Sequence, residues 1–164
     1  MEQNKSDETV VQFPKEATKP VSSTERIWGK QVLRHGYTGI PSILIRSQAR
    51  LGLNALQMNI LIQLLDYLID PGRMPFPTKK DLAKRIGVTD KTIQLNMRKL
   101  ENAKFLIRET RKTAAGDWNS NIYHLDGLIE KVRMLEPEFQ QAREEKMKAS
   151  KKAGAPVFKP KPLK

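Results

Sequence analysis

Hydrophobic positions recur at helical spacing through the middle of the chain and give way to short alternating runs after it. Leu56, Ile60, Leu61, Leu64, Leu65 and Leu68 form one stripe behind Asn54, a helix-capping residue, and the segment closes on Asp70-Pro71-Gly72. Upstream, Ile40-Pro41 leads into SILIRSQARLGL, where Ser42 is a helix cap and Gly52 a stop. Met74-Pro75-Phe76-Pro77 is too short and too proline-rich for anything but an extended link or a minimal edge strand.

The next stretch is the most informative. Thr78 opens TKKDLAKRIG with Asp81 three residues on, the spacing of a capping box with Asp in place of Glu. Leu82, Ala83 and Ile86 make its inner stripe and Gly87 ends it. Thr89 then caps DKTIQLNMRKLENA, whose inner stripe is Ile93, Met97 and Leu100. Two short capped helices joined at Gly87-Val88 predict a helix-turn-helix. Phe105-Leu106-Ile107 begins a strand that turns basic at Arg108, Arg111 and Lys112. Residues 113–117 read as a turn, and residues 118–125 return through Ile122, Tyr123 and Leu125. This is a β-hairpin directly behind the second helix, in the place of a wing. Leu128, Ile129, Val132 and Leu135 mark another helix, expected to stop near Glu136-Pro137, with one more charged helix from Phe139 to about Lys148.

The expected fold is therefore mainly α with a small β-hairpin: a winged helix-turn-helix with extra N- and C-terminal helices and disordered tails. Residues 1–26, polar and rich in Lys, Glu, Ser, Thr and Pro, read as a disordered arm. The domain spans 27–136, and 137–164 is a charged helix followed by a Lys/Pro tail.

Charge changes this picture more than composition does. The net charge is +12, so the natural partners are polyanions. Residues 1–26 carry a net −1, residues 27–140 a net +7 and residues 141–164 a net +6. The basic excess thus belongs partly to the folded region, which matters because a tail alone gives only non-specific attraction. Without cysteine there is no disulfide, thiol nucleophile or Cys-ligated zinc, which fits a reducing compartment. No apolar run has the length of a signal peptide or a membrane span, so the expected location is the cytoplasm, in association with the nucleoid.

The run LAKRIGVTDKTIQLNMRKLENAKFLIRETR resembles the winged helix-turn-helix proteins of prokaryotes, phages and plasmids, both transcriptional regulators and replication-initiation types. The resemblance rests on Leu82-Ala83, Gly87, Thr89, Ile93, Leu100-Glu101 and Phe105-Leu106-Ile107. WGKQVLRHGYTGIPSILIRSQARLGL also looks like the lead-in of such proteins from phages and plasmids. The specific part covers only residues 78–125. One departure is visible: those families place Gly after the recognition helix, near Ala103-Lys104, so this helix is expected to leave by another conformation.

With Ile93, Met97 and Leu100 inward, the opposite face of the second helix is Lys91, Leu95, Arg98 and Asn102, flanked by Gln94 and Lys99. In a major groove Arg98 suits a guanine, Gln94 an adenine and Leu95 a thymine methyl; a scattered surface leucine is the plainer account of Leu95. Phosphate contacts are expected from Thr78, Lys79 and Lys80 at one helix start, from Thr89 and Thr92 at the other, and from Arg111, Lys112, Trp118 and Asn119 on the wing. Any one of these alone is equally a solvated surface residue; the constellation carries the reading. His35 and His124 are lone, and no phosphate loop, nucleophile elbow or catalytic carboxylate pair is present, so no enzyme activity, metal or cofactor is expected.

The expected partner is double-stranded DNA, with no membrane and no small-molecule ligand. A homodimer is one use for the apolar stripes of residues 40–53 and 128–135; packing on their own domain is the other. Two further classes stay open. A winged-helix protein-interaction module would use the Leu95 face, and an RNA reader would need more stacking aromatics than the 6% present.

Overall fold

The computed structural model describes residues 21–68, 70, 72–111 and 120–153. The chain divides into two compact units, Met1–Tyr37 and Thr38–Lys164. In the first, α1 (Ser23–Trp28) starts inside the stretch expected to be a disordered arm. Its start is fixed locally, because the Ser22 hydroxyl accepts the Glu25 amide at 3.1 Å. Gly29, at φ +79°, separates it from α2 (Lys30–Leu33).

The second unit is mainly helical with a two-stranded antiparallel sheet. Its order is α3 (Ser42–Arg46), α4 (Ala55–Tyr67), α5 (Lys79–Ile86), α6 (Asp90–Asn102), β1 (Ile107–Glu109), β2 (Ile122–His124) and α7 (Asp126–Ala153). The caps at α4 and α5 are reciprocal. Asn54 and Gln57 bond each other's backbone amides, and so do Thr78 and Asp81. Gly87 closes α5 in the left-handed conformation, at φ +79°.

One apolar core unites these elements. Ile60, Leu61 and Leu64 of α4, Leu82 of α5 and Ile93 of α6 are fully buried, with Met97, Leu100, Leu106, Tyr123 and Leu125 almost so. Each such side chain contributes about 1.5–3 kcal/mol relative to exposure. The β1–β2 register pairs Ile107 with His124, Arg108 with Tyr123 and Glu109 with Ile122. The Met74–Pro77 link lies along the sheet, with the Tyr123 amide donating to the Pro75 carbonyl at 2.9 Å. Among the described residues, no helix is long and apolar enough to cross a membrane.

The strand expected from Phe105 begins only at Ile107, its return is assigned as strand at Ile122–His124, and three helix boundaries also differ from the sequence expectation. Ser42 is the first residue of α3 rather than its cap, and α3 ends at Arg46 instead of near Gly52. Ser47 leaves helical geometry, at φ −101° and ψ 10°, and the chain continues as turns to Gly52, at φ +68°. The second difference is α7, a single helix that passes through Pro137. Proline there removes one amide and frees the Arg133 carbonyl four residues back. Arg133 and Pro137 are both exposed, so water can meet that carbonyl, and the Arg50–Glu138 ion pair fastens the helix one residue further on.

The third is the exit from α6. Lys104 takes the left-handed conformation that glycine usually fills, at φ +59°. The Phe105 amide donates to Leu100 and the Lys104 amide to Glu101, which makes a Schellman ending without glycine. The reason lies across the junction at Gly127, where a Cβ would come within 2.2 Å of the Lys104 carbonyl oxygen. The Leu128 amide donates to the Phe105 carbonyl at 2.9 Å, locking the start of α7 onto this turn.

The apolar stripes considered for a dimer largely pack on their own domain. Leu44, Leu53 and Leu128 are buried, and Ile40, Leu51 and Val132 lie against the core.

Lys104→Gly is expected to raise stability by about 0.5–1 kcal/mol by relieving the left-handed lysine. Gly127→Ala is expected to lower it by about 1–3 kcal/mol through overpacking. Urea midpoints of the two variants check the pair of signs.

Candidate nucleic-acid interface

The outward face of α6 follows from what the helix buries. Ile93, Met97 and Leu100 point into the core, joined by Asn96, whose Nδ2 donates to the Thr92 carbonyl at 2.9 Å. That leaves Lys91, Leu95, Arg98, Lys99 and Asn102 exposed on the other side, with Gln94 half-buried at its edge. Leu95 is 49% exposed. Among the described residues, Lys91, Arg98 and Lys99 have no ion-pair partner.

The start of α5 is brought beside the start of α6 and the foot of the hairpin. Thr78, Lys79, Lys80, Asp90, Ser120 and Asn121 line one cleft of about 550 Å³, with Pro77 and the buried Tyr123 at its base. Asp90 sets a carboxylate in this otherwise basic opening. Burial pushes the Tyr123 hydroxyl above its usual pKa, while Asn121 bonds to it.

The threonines expected to touch phosphate are already engaged. Thr78 Oγ1 accepts the Asp81 amide at 3.1 Å and donates to its carboxylate at 2.6 Å. Thr89 Oγ1 accepts the Thr92 amide at 3.2 Å and lies 2.8 Å from the Thr92 hydroxyl. Their first duty is to cap helices. Arg111 is half-buried at the hairpin: its Nε donates to the Ser120 carbonyl at 3.4 Å and its guanidinium lies over the Phe76 ring at 5.6 Å. Lys112, Trp118 and Asn119 lie outside the described residues.

Sequence reasoning missed the residues that join these parts. Glu101 on α6 pairs with Arg108 on β1 at 3.1 Å, both side chains largely shielded, and so sets the hairpin against the last turn of the helix. Arg85 links α5 to α4, meeting Asp66 at 3.1 Å and the Tyr67 ring at 4.7 Å. The Thr38 hydroxyl bonds Asp66 from the other side and, with Arg85, holds that carboxyl below the usual range. Only the opposite charges of Glu101 and Arg108, at the end of one element and the start of the next, could have hinted at any of this. His124 meets Glu109 at 2.8 Å across the sheet. Among the described residues no group of three or more His, Cys, Asp or Glu side chains is placed to hold a metal ion.

A capped helix pair whose outward face is cationic, with a hairpin at its side, defines a class of small helical domains with a basic open helix. Residues 40–146 match the DnaD N-terminal domain family, and the chain belongs to that family, which is related to replication initiation. Among solved structures, the N-terminal domain of DnaD protein from Geobacillus kaustophilus HTA426 is 21% identical. It matches over 71% of this chain and 93% of that one, with a TM-score of 0.49. A protein described as a possible transcriptional regulator from Methanosarcina mazei Go1 is 16% identical, over 66% of this chain and 85% of that one, with a TM-score of 0.41. A search of curated proteins finds no match.

Thr78→Ala is expected to cost about 1 kcal/mol of stability as a lost cap, with Thr78→Ser close to wild type. The Thr78 hydrogen bond holds the Asp81 carboxyl below the usual carboxylate range. Its stabilising effect is therefore complete above about pH 4 and disappears as the pH falls through the lowered value. In Thr78→Ala the Asp81 titration, followed by carboxyl NMR, should move up toward the ordinary range.

Proposed function

We propose that the chain is a sequence-specific double-stranded DNA-binding protein of the winged helix-turn-helix type, acting by binding and not by catalysis. In this reading α6 enters the major groove and the β1–β2 hairpin is the wing. The start of α5, with Lys79 and Lys80, rests on the phosphate backbone. The biological role is that of a replication factor of plasmid or phage type, or of a transcriptional regulator. Membership in the DnaD N-terminal domain family favours the replication side.

One observation carries the reading. Lys91, Arg98 and Lys99 stand exposed, and without ion-pair partners among the described residues, on the side of α6 that faces away from Ile93, Met97 and Leu100. Three unpaired cations on one helix face repel each other and gain little for the fold alone, whereas against DNA they release counterions. Arg98 is the candidate for guanine, Gln94 for adenine, and Leu95 for a thymine methyl. Lys79 and Lys80 position without specifying.

The test begins by selecting a preferred duplex from random genomic fragments. Arg98→Ala is then expected to cost about 1–3 kcal/mol on that duplex and to relax one base position, with folding within about 0.5 kcal/mol of wild type. Lys80→Ala should weaken preferred and scrambled duplexes by the same factor. Equal losses from Arg98→Ala on both duplexes, measured at one salt concentration, would overturn the placement of the recognition face.

The exposure of Leu95 favours a second reading, a protein-binding module on the same helix face. Under it, Leu95→Asp abolishes partner binding and Arg98→Ala leaves DNA affinity unchanged.

Useful specificity from so small a domain calls for two copies on a two-fold site. The homodimer this implies must draw mainly on surface outside the stripes at 40–53 and 128–135. Sedimentation on the preferred duplex is expected to give two chains per duplex; one chain per duplex would remove the dimer.

A further inference from the structure

Beyond Pro137, α7 continues for more than four turns with almost every side chain exposed. Short α3 packs beside it, and the two enclose an open groove of about 720 Å³. The groove is mostly apolar, floored by Ile43, Phe139 and Met147, and rimmed by Arg46, Arg143 and Lys146. We propose that this groove is the docking site for an acidic amphipathic segment of a partner protein, one that places large apolar side chains on the floor and carboxylates at the rim.

The charged side chains of distal α7 that line the groove are cations. Arg143 and Lys146 line the groove, and neither they nor Arg46 have an ion-pair partner among the described residues. The carboxylates of the same stretch do not line the groove, although Glu144 bonds the lining residue Gln140. Glu144 accepts from Gln140 at 2.8 Å, Glu145 from Gln141 at 3.4 Å, and Glu138 pairs with Arg50. Glu136 alone brings a negative charge to the lining, at the end nearest the domain. The groove thus offers two things at once, an apolar floor and a cationic rim.

That combination selects among occupants. A DNA backbone would use Arg46, Arg143 and Lys146 but leave Ile43, Phe139 and Met147 in water. A second copy would bring a chain of net charge +12 against a cationic rim. An acidic amphipathic helix satisfies both halves, by the apolar anchoring and electrostatic complementarity that helix-in-groove recognition uses. The site stands apart from α6 and does not rest on the DNA-binding reading.

The test uses the full chain and fluorescence anisotropy with a labelled helical peptide bearing Leu and Phe on one face and Glu along both flanks. One control peptide replaces Glu by Lys, and another keeps Glu but replaces Leu and Phe by Gln. The acidic amphipathic peptide is expected to bind, and the two controls to bind at least about tenfold more weakly. Arg46→Glu with Arg143→Glu should weaken binding about tenfold or more. Met147→Ser, at a half-exposed position, should weaken it without changing helix content by circular dichroism. Lys148→Glu, on the opposite face, and Arg98→Ala, on α6, should leave it within about twofold.

Absence of binding by the amphipathic peptide would overturn the proposal, and so would loss of binding in Arg98→Ala. Equal binding of the Gln-faced peptide, displaced by duplex DNA, would make the groove a simple polyanion surface. Concentration-dependent self-association abolished by Met147→Ser would give the groove to a second copy. Either result refutes an acidic partner.

Discussion

The arrangement of the second unit depends on one backbone reversal. At the end of α6 the chain must turn sharply enough for Phe105 and Leu106 to re-enter the core at once, and Lys104 adopts the left-handed conformation that permits it. A lysine there is strained by about 1–2 kcal/mol relative to glycine, and the surroundings must supply the difference. They do so from a distant part of the chain. Gly127 lets the first turn of α7 come down onto the Lys104 carbonyl, and the Leu128 amide closes on Phe105. The reversal therefore ties the recognition-like helix, the hairpin and the last helix into one packing problem, with Glu101–Arg108 as a lateral tie.

Much of the helix pair was legible because its instructions are local. Thr78 with Asp81, Gly87, and Thr89 with Thr92 are caps and stops read within four residues. The inward stripe of Ile93, Met97 and Leu100 needs only helical periodicity. The same rules misread Pro137, which α7 passes through at an exposed position, and the exit at Lys104, where the close neighbour is Gly127, far away in sequence. Local chemistry argued for a stop at the first and for a different exit at the second. At Lys104 a tertiary contact with the start of α7 overrode the local rule.

The candidate site divides in a similar way. Exposure of Lys91, Leu95, Arg98 and Lys99 follows from the stripe they oppose, so it could be read from spacing alone. The detailed occupation of the polar side chains could not. Thr78 and Thr89 spend their hydroxyls on caps, and Arg111 lies across Phe76 with a bond to the Ser120 carbonyl. The pattern shows which face is open but not which groups on it are free. That depends on contacts between segments, such as the foot of the hairpin meeting the start of α5.

Pro137 also gives α7 a mechanical character. The proximal part is a structural beam, anchored by Leu128 in the core, whereas the distal part is a cantilever whose lateral support among the described residues is α3. The missing amide at the proline lies near the fulcrum between them, where a helix bends most cheaply. A force applied to the distal part is therefore not spread evenly along the helix. It is levered through Arg50–Glu138 onto the turn that follows α3, and Leu44 of α3 anchors that region in the apolar core.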